Sequence, residues 1–304
     1  MPATSFVDAH GVAVPFAEIE NSYTAERWQM PLPLLKSLAR QRPSYCDISV
    51  TQLVAPPQIR VLKARHDYSL DPFDQVWAGF GTGLHKMLEL KAEASALVEK
   101  KLLADFEVRT SAGVDRKVRL GGTVDHYCED SGGTLTNWKC TTAYKAKRLH
   151  DDGANAFPDW VAADNCYAYL WRLHGFEISK LRLCLLLKDW SLRERESAAN
   201  KFYCTKCAKN HMRDSKPGKE HGEFEDKNRV DWYPPTPIFL FDLPVWSAQE
   251  AVRYIRQRLE LHVAAESCAD QELPNCTPEE NWNGRRCEHW CEVAHLCHQN
   301  KAAC

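Results

Sequence analysis

Apolar and polar positions along this chain follow two periods, and each change of period marks an element. Between Gly121 and Tyr144 the pattern is that of two strands around a turn. A run ending in Val124-Asp125 meets Gly132-Gly133, and Thr134 to Lys139 resumes beyond it. Alternation along the second strand puts Asn137 and Lys139 on one face and Trp138 on the other, and a twisted hairpin brings Asp125 towards that pair. Upstream, Asp74 to Leu103 shows apolar residues at helical spacing, loosened at first by Gly79, Gly81 and Gly83, with His85 and Glu89 on one face. Ser49 and Thr51 open an apolar run that Pro56-Pro57 interrupts, which predicts a capped helix and a restart. Phe106 to Leu120 predicts strands leading into the hairpin. Trp160 to His174 predicts a helix with Trp160, Cys166, Tyr167, Leu170 and Trp171 on or near one side. Leu181 to Trp190 predicts a buried strand, Ile238 to Leu243 another, and Ser247 to Glu266 a long helix with Arg253, Arg256 and Arg258 on its polar face. Together these elements predict an α/β fold, a small mixed sheet flanked by helices.

Around this block lie segments of different character. Residues 1–43 read as an extended arm with one helix near Leu34 to Arg40 and no recognisable chemistry. A core over 44–267 carries a polar inserted loop at 200–230, and 268–304 forms a cysteine-rich C-terminal segment. A chain of 304 residues with 44% hydrophobic content suits one large domain with appendages. Lys+Arg 39 against Asp+Glu 41 gives no global basic surplus, so any surface for nucleic acid must be local. No apolar run is long enough to span a membrane and no leader precedes the chain, so a soluble cytoplasmic protein is expected.

That setting changes the meaning of the 13 cysteines, which become metal ligands before they become disulfides. Cys204, Cys207 and His211, with His221 further on, offer a Cys2His2 set for zinc, against the plainer reading of a loop with incidental cysteines. Cys276, Cys287, Cys291 and Cys297, interleaved with Trp282 and Trp290, fit closed thiolate ligation of one metal centre. At the hairpin, an acidic residue, an amide oxygen and a lysine suit phosphodiester hydrolysis with a hard divalent cation, against the plainer reading of a solvated hairpin.

The order of these motifs resembles the PD-(D/E)xK nuclease superfamily, in its RecB-like branch of CRISPR-adaptation and phage exonucleases. Ser49-x-Thr51-x-Leu53 followed by proline resembles the start of that family's core. Gly81-Thr82-Gly83-Leu84-His85 followed by Leu88-Glu89 resembles its G-x-x-x-H-x-x-L-E motif. The resemblance implies a restriction-endonuclease-like core with Mg²⁺ or Mn²⁺ held by His85, Asp125, residue 137 and the Cys140 carbonyl. Lys139 would serve catalysis, Glu89 would support the metal, and Tyr167 and Tyr144 would lie against DNA. It further implies a [4Fe–4S] cluster on the C-terminal cysteines, with zinc as the alternative and Cys46 as a rival to Cys276. Two positions depart from the family: Asn137 stands where Asp or Glu is expected, and Ala163 where glutamine is expected. The implied function is a metal-dependent DNA exonuclease or endonuclease of phage or bacterial recombination type, in a bacterial host cell if phage-encoded. Asn137 would make it slow or inactive. The alternative is a non-catalytic DNA-binding or assembly protein that keeps the nuclease fold. A homo-oligomer or a recombination partner protein is the expected company in either case.

Overall fold

A computed structural model of the chain describes residues 3–39, 44–90, 96–110, 113–129, 132–215, 219–220 and 231–301. At the N-terminus, strands β1 (Ser5–Val7) and β2 (Ala13–Pro15) pair antiparallel. Helices α1 (Ala25–Trp28) and α2 (Leu32–Leu38) follow them. Phe6, Val14, Ile19, Trp28, Met30 and Leu35 bury one another in a small core of their own. The segment expected as an extended arm is therefore a folded unit, and its helix lies two residues earlier than expected.

Strand β3 (Ile48–Ser49) leads into α3 (Val50–Val54), whose start is fixed by a capping box. The Ser49 hydroxyl accepts from the Gln52 N–H, and the Gln52 side chain accepts from the Ser49 N–H. Proline then ends α3 and opens α4 (Pro57–Arg65), as the sequence predicts. Strand β4 (Ser69–Leu70) returns to pair parallel with β1, and Leu70 and Val76 pack on the N-terminal core. That core thus draws on residues far along the chain, which is why residues 1–43 alone look unable to fold.

Helix α5 (Pro72–Glu89) runs through its three glycines without a break, capped by Asp71 accepting from the Phe73 N–H. The helical pattern expected to reach Leu103 stops there. Leu97 to Leu103 belongs instead to strand β5 (Leu97–Arg109), which pairs antiparallel with β6 (Asp115–Cys128) from Leu97↔Tyr127 to Arg109↔Asp115. Spacing alone does not separate helix from strand in so short an apolar run, and the long cross-strand ladder decides it.

Strand β7 (Thr134–Thr141) completes the hairpin, and α6 (Ala143–Asp152) and α7 (Pro158–Leu173) follow. The turn needs glycine at 133: with φ at 86°, a Cβ there would lie 1.8 Å from the Glu177 carbonyl oxygen. Strand β8 (Lys180–Leu187) lies parallel to β7. Helix α8 (Leu192–Asn200) leads to a hairpin of β9 (Lys201–Cys204) and β10 (Lys209–Met212), which occupies the start of the segment expected as a loop. Strand β11 (Ile238–Leu243) pairs antiparallel with β8, and α9 (Ala248–Glu266) crosses back over the sheet. The result is a six-stranded mixed sheet, β11-β8-β7-β6-β3 with β5 on β6. Leu120, Val124, Leu135, Leu183, Leu170, Trp171, Ile255 and Leu259 fill its main core.

The C-terminal segment, with short helices α10 (Arg285–His289) and α11 (His298–Lys301), closes on α4. Ile59 and Leu62 of α4, Ala265 of α9, and Leu273, Val293 and Cys297 form a further core. Ion pairs Lys63–Glu292 at 2.8 Å and Arg65–Asp270 at 2.7 Å border it. Arg258, expected on the open face of α9, is turned inward: its guanidinium donates to the Leu53 and Ala55 carbonyls at 3.0 and 2.5 Å, satisfying the end of α3. Among the described residues no helix is long and apolar enough to cross a membrane.

Candidate functional site

Strand β6 has two different edges. Along one it pairs with β5 for its whole length. Along the other, β3 takes Leu120 and Gly121, and β7 takes His126 to Cys128. Strand β7 leaves β6 beyond Thr136, which frees the Trp138 N–H from the ladder. Asp125 fills the gap, its Oδ2 accepting from that N–H at 2.7 Å. At the same level the burial alternation of β6 slips by one: Val118, Leu120 and Val124 are buried, and then Asp125 and Tyr127. Val98 pairs with His126 and Lys100 with Val124, so Glu99 faces Asp125 across the ladder, with φ at 51°. A left-handed residue other than glycine costs on the order of 1–3 kcal/mol, and such strain gathers where function needs a particular geometry.

The kink turns both carboxylates to one place. His85 comes to it from α5: its Nδ1 lies 3.1 Å from Glu99 Oε1 and 3.5 Å from Asp125 Oδ1, and its Nε2 lies 3.3 Å from the Trp138 carbonyl oxygen. One ligand atom from each of His85, Glu99 and Asp125 lies within 4.8 Å of the others. Burial pushes the Asp125 carboxyl up from its usual range, with Glu99 adding to the rise, while His85, the Trp138 N–H and Lys139 oppose it. An imidazole, two carboxylates and a backbone carbonyl form the donor set of a hard or borderline divalent cation such as Mg²⁺ or Mn²⁺.

The other hairpin residues surround this point unequally. Asn137 shares the α7 face with Lys139, and its Nδ2 donates to Asp164 Oδ1 at 2.7 Å. Tyr167 packs over Gly122, where a Cβ would lie 2.7 Å from its ring, and its hydroxyl lies 3.5 Å from that of Thr51. Tyr167, Asp125, Asn137 and Asp164 line a cavity of about 10 Å³. Lys139 stands 4.9 Å from the centre of the Trp160 ring, joined there by Lys145 at 5.2 Å, and Lys188 stands 3.6 Å over Trp77. Burial lowers the Lys145 pKa; Lys139 and Lys188 lower it further, and Asp159 opposes them. Tyr144 is exposed at the start of α6. Glu89 is ion-paired to Lys86 on α5, so the acid that meets His85 is Glu99 and not Glu89. The carbonyl beside His85 is that of Trp138, and Cys140 is paired with Leu186 further along the ladder.

The cysteines form two further groups. Cys204, Cys207 and His211 converge within 4.8 Å on the β9–β10 hairpin, with Cys207 Sγ 2.9 Å from His211 Nε2. His221, the fourth ligand expected there, lies outside the described residues. Cys276, Cys287, Cys291 and Cys297 line one pocket with Gln58, Ile59 and Arg286. Burial raises the Cys276 thiol to about 12, with Glu280 adding to the rise and Arg286 opposing it. Cys46 sits elsewhere, against Gly121 of β6, where a Cβ would lie 2.6 Å from its sulfur. The structure therefore groups Cys276, and not Cys46, with the other three. A single zinc with Zn–S near 2.3 Å draws its thiolates to within about 4 Å of one another. Among the described residues, the groups converging within 4.8 Å are the two named above.

No family model matches the sequence, and a search of curated proteins finds no match. Among solved structures, one described as "Crystal structure of SSO0001" superposes with a TM-score of 0.47 and 15% identity, over 88% of this chain and 93% of that chain.

Proposed function

We propose that this chain is a divalent-cation-dependent nuclease acting on DNA, with His85, Glu99 and Asp125 as its cation ligands. The observation that carries the reading is the convergence of these three groups at a strained point of the sheet, beside a lysine. The motif order implies the reaction, and Glu99 supplies the second carboxylate that Asn137 does not. A bound Mg²⁺ or Mn²⁺ supplies an acidified water and neutralises charge on the phosphate. The chain's own residues do the rest. The Trp138 N–H and His85 hold Asp125 in place, and Lys139 offsets charge that develops on the phosphate. Lys145 and Lys188, beside the faces of Trp160 and Trp77, suit a phosphodiester backbone with unpaired bases. They give the local basic surface that the neutral overall charge leaves open.

For the C-terminal pocket, four thiols lining one space suit a [4Fe–4S] cluster, with zinc as the alternative on the same donor set. The tighter Cys204, Cys207 and His211 group suits zinc. The non-catalytic alternative is favoured by Asn137, whose amide is occupied by Asp164. End-labelled single- and double-stranded DNA incubated with Mn²⁺ separates the two. Cleavage abolished by Asp125→Ala supports the nuclease, and retained binding without cleavage supports the alternative.

A further inference from the structure

Several lysines of this chain find carboxylates: Lys63 reaches Glu292, Lys86 Glu89, Lys117 Asp105 and Lys147 Asp151. Three beside the cation site do not. Lys139 comes from β7, Lys145 from the first turn of α6, and Lys188 from the residue after β8. Among the described residues none of the three forms an ion pair, and aromatic rings stand where the counter-ion is expected. Lys139 and Lys145 lie 4.9 and 5.2 Å from the centre of the Trp160 ring, and Lys145 also lies 5.8 Å from that of Phe157. Phe157 and Trp160 stack on each other at 4.3 Å, which makes a two-ring ledge at the start of α7. Asp189, next to Lys188 in the chain, accepts instead from the Ala143 N–H at 2.7 Å.

A lone lysine against an aromatic ring is ordinary packing. A half-buried one among like charges is not. Burial lowers the Lys145 pKa, Asp159 opposes this without forming an ion pair, and Lys139 and Lys188 lower it further. Holding that ammonium charged costs free energy until an anion enters. Lys139 is also the neighbour that Lys145 shares with Asp125 of the cation site. The pair thus offers one ammonium to a phosphate on the cation and a second one further along.

We infer that Lys145, on the ledge of Phe157 and Trp160, holds the phosphate next to the one under attack, and so selects a polynucleotide chain over an isolated phosphodiester. An ammonium is a compact point charge with three donors, suited to a phosphate oxygen whatever base is attached. Such a contact carries no sequence information and sets the register of the strand on the cation. Lys139 acts where charge develops and Lys145 where charge is already present. Loss of the first therefore falls on kcat, and loss of the second on KM.

This inference rests on the proposed nuclease reading for its catalytic meaning, and its first test is binding without cleavage. The full chain is mixed with a short fluorescein-labelled single strand of DNA, with no divalent cation added. Anisotropy gives the affinity over a series of KCl concentrations. Lys145→Met keeps the stem against Phe157 and Trp160 and removes the charge. It should weaken binding by ~10-fold and make the slope of log K against log salt shallower by about 0.7, the share of one phosphate on a single strand. Lys145→Arg should hold the parent slope, and Lys36→Ala, an exposed lysine of the N-terminal unit, should change neither quantity. A parent slope in Lys145→Met overturns the inference, as does an equal loss in Lys145→Arg or in Lys36→Ala. In a cleavage assay with Mn²⁺, Lys145→Met should raise KM by ~10-fold and change kcat far less. A kcat lowered as far as in Lys139→Ala puts Lys145 on the phosphate under attack and overturns the inference too. If the slope falls as expected and no nucleic acid is cut, the phosphate site stands and the nuclease reading fails. If DNA is cut and Lys145→Met binds and cuts as the parent does, the nuclease reading stands and the phosphate site fails.

Discussion

The hairpin site and the C-terminal pocket are both candidate metal centres, and they are built in opposite ways. The first presents oxygen and nitrogen from three elements, at a kink where the sheet is strained and its ladder incomplete. The second presents four sulfurs inside an apolar core that joins α4, α9 and the last segment of the chain. Hard ligands around an interrupted ladder suit a cation that exchanges water and meets substrate, and the strain there is tolerated because the surrounding sheet holds it. Soft ligands inside a core suit a centre that stays bound and whose binding energy becomes folding energy. The contrast therefore predicts that one site can be emptied with loss of activity alone, while emptying the other loosens the fold.

The largest effect follows from the sulfur side. Replacing Cys287 and Cys291 together by serine should remove the C-terminal centre and destabilise the chain by several kcal/mol, on the order of 10 °C in melting temperature. Scanning calorimetry with iron and zinc analysis checks this. The protein as purified should be brown and contain iron. A colourless protein with one zinc on these cysteines would replace the cluster by zinc, and an unchanged melting temperature would remove the contrast altogether.

A second effect also falls on the clasp. His262 of α9 is fully buried; its Nδ1 accepts from the Arg60 Nε–H, its Nε2 donates to the Leu53 carbonyl, and burial lowers its pKa to about 4, with Arg60 and Arg258 adding to the fall. Below pH 6.5 the unfolded chain takes up a proton that the folded chain refuses until about pH 4. Stability should therefore drop as pH falls from 6.5 to 4, by about 3 kcal/mol from this group alone. His262→Gln, which cannot titrate, should show a flatter urea midpoint across that window. An equal slope in both proteins would show that His262 is not the cause.

The smallest effect sharpens the other side. Glu99→Gly removes a ligand and also relieves a left-handed backbone, so Mn²⁺ binding should weaken while the metal-free protein gains roughly 1 kcal/mol. Glu99→Gln keeps the strain and should lose the ion without that gain. If both variants lose stability equally, the φ at 99 is not the stored strain described here.

Much of this fold was legible in the sequence, and for local reasons. The Gly132-Gly133 turn, the Ser49 cap and Pro56-Pro57 break are short-range chemistry, and each element they predict is present. Asp125, Lys139 and His85 stood out because of their motif order. Glu99 did not, because the helical reading of Asp74 to Leu103 ran through it, and only the register against Asp125 and a positive φ reveal it. Asp164 was hidden in the same way, as one more polar residue of a helix whose buried face the sequence does not orient against Asn137. The N-terminal unit was misread because Leu70 and Val76 complete its core from outside the window.

The central claim is that His85, Glu99 and Asp125 bind the cation through which nucleic acid is cut. Its most direct test is a gel assay of labelled single- and double-stranded DNA with Mn²⁺, comparing the unaltered chain with Asp125→Ala and Glu99→Gln at equal folded concentration. The account predicts cleavage that EDTA abolishes and that each variant reduces by roughly 10²–10⁴, with melting temperatures close to that of the parent. Cleavage that survives in Asp125→Ala, or a parent chain inert on DNA and on RNA, would contradict it.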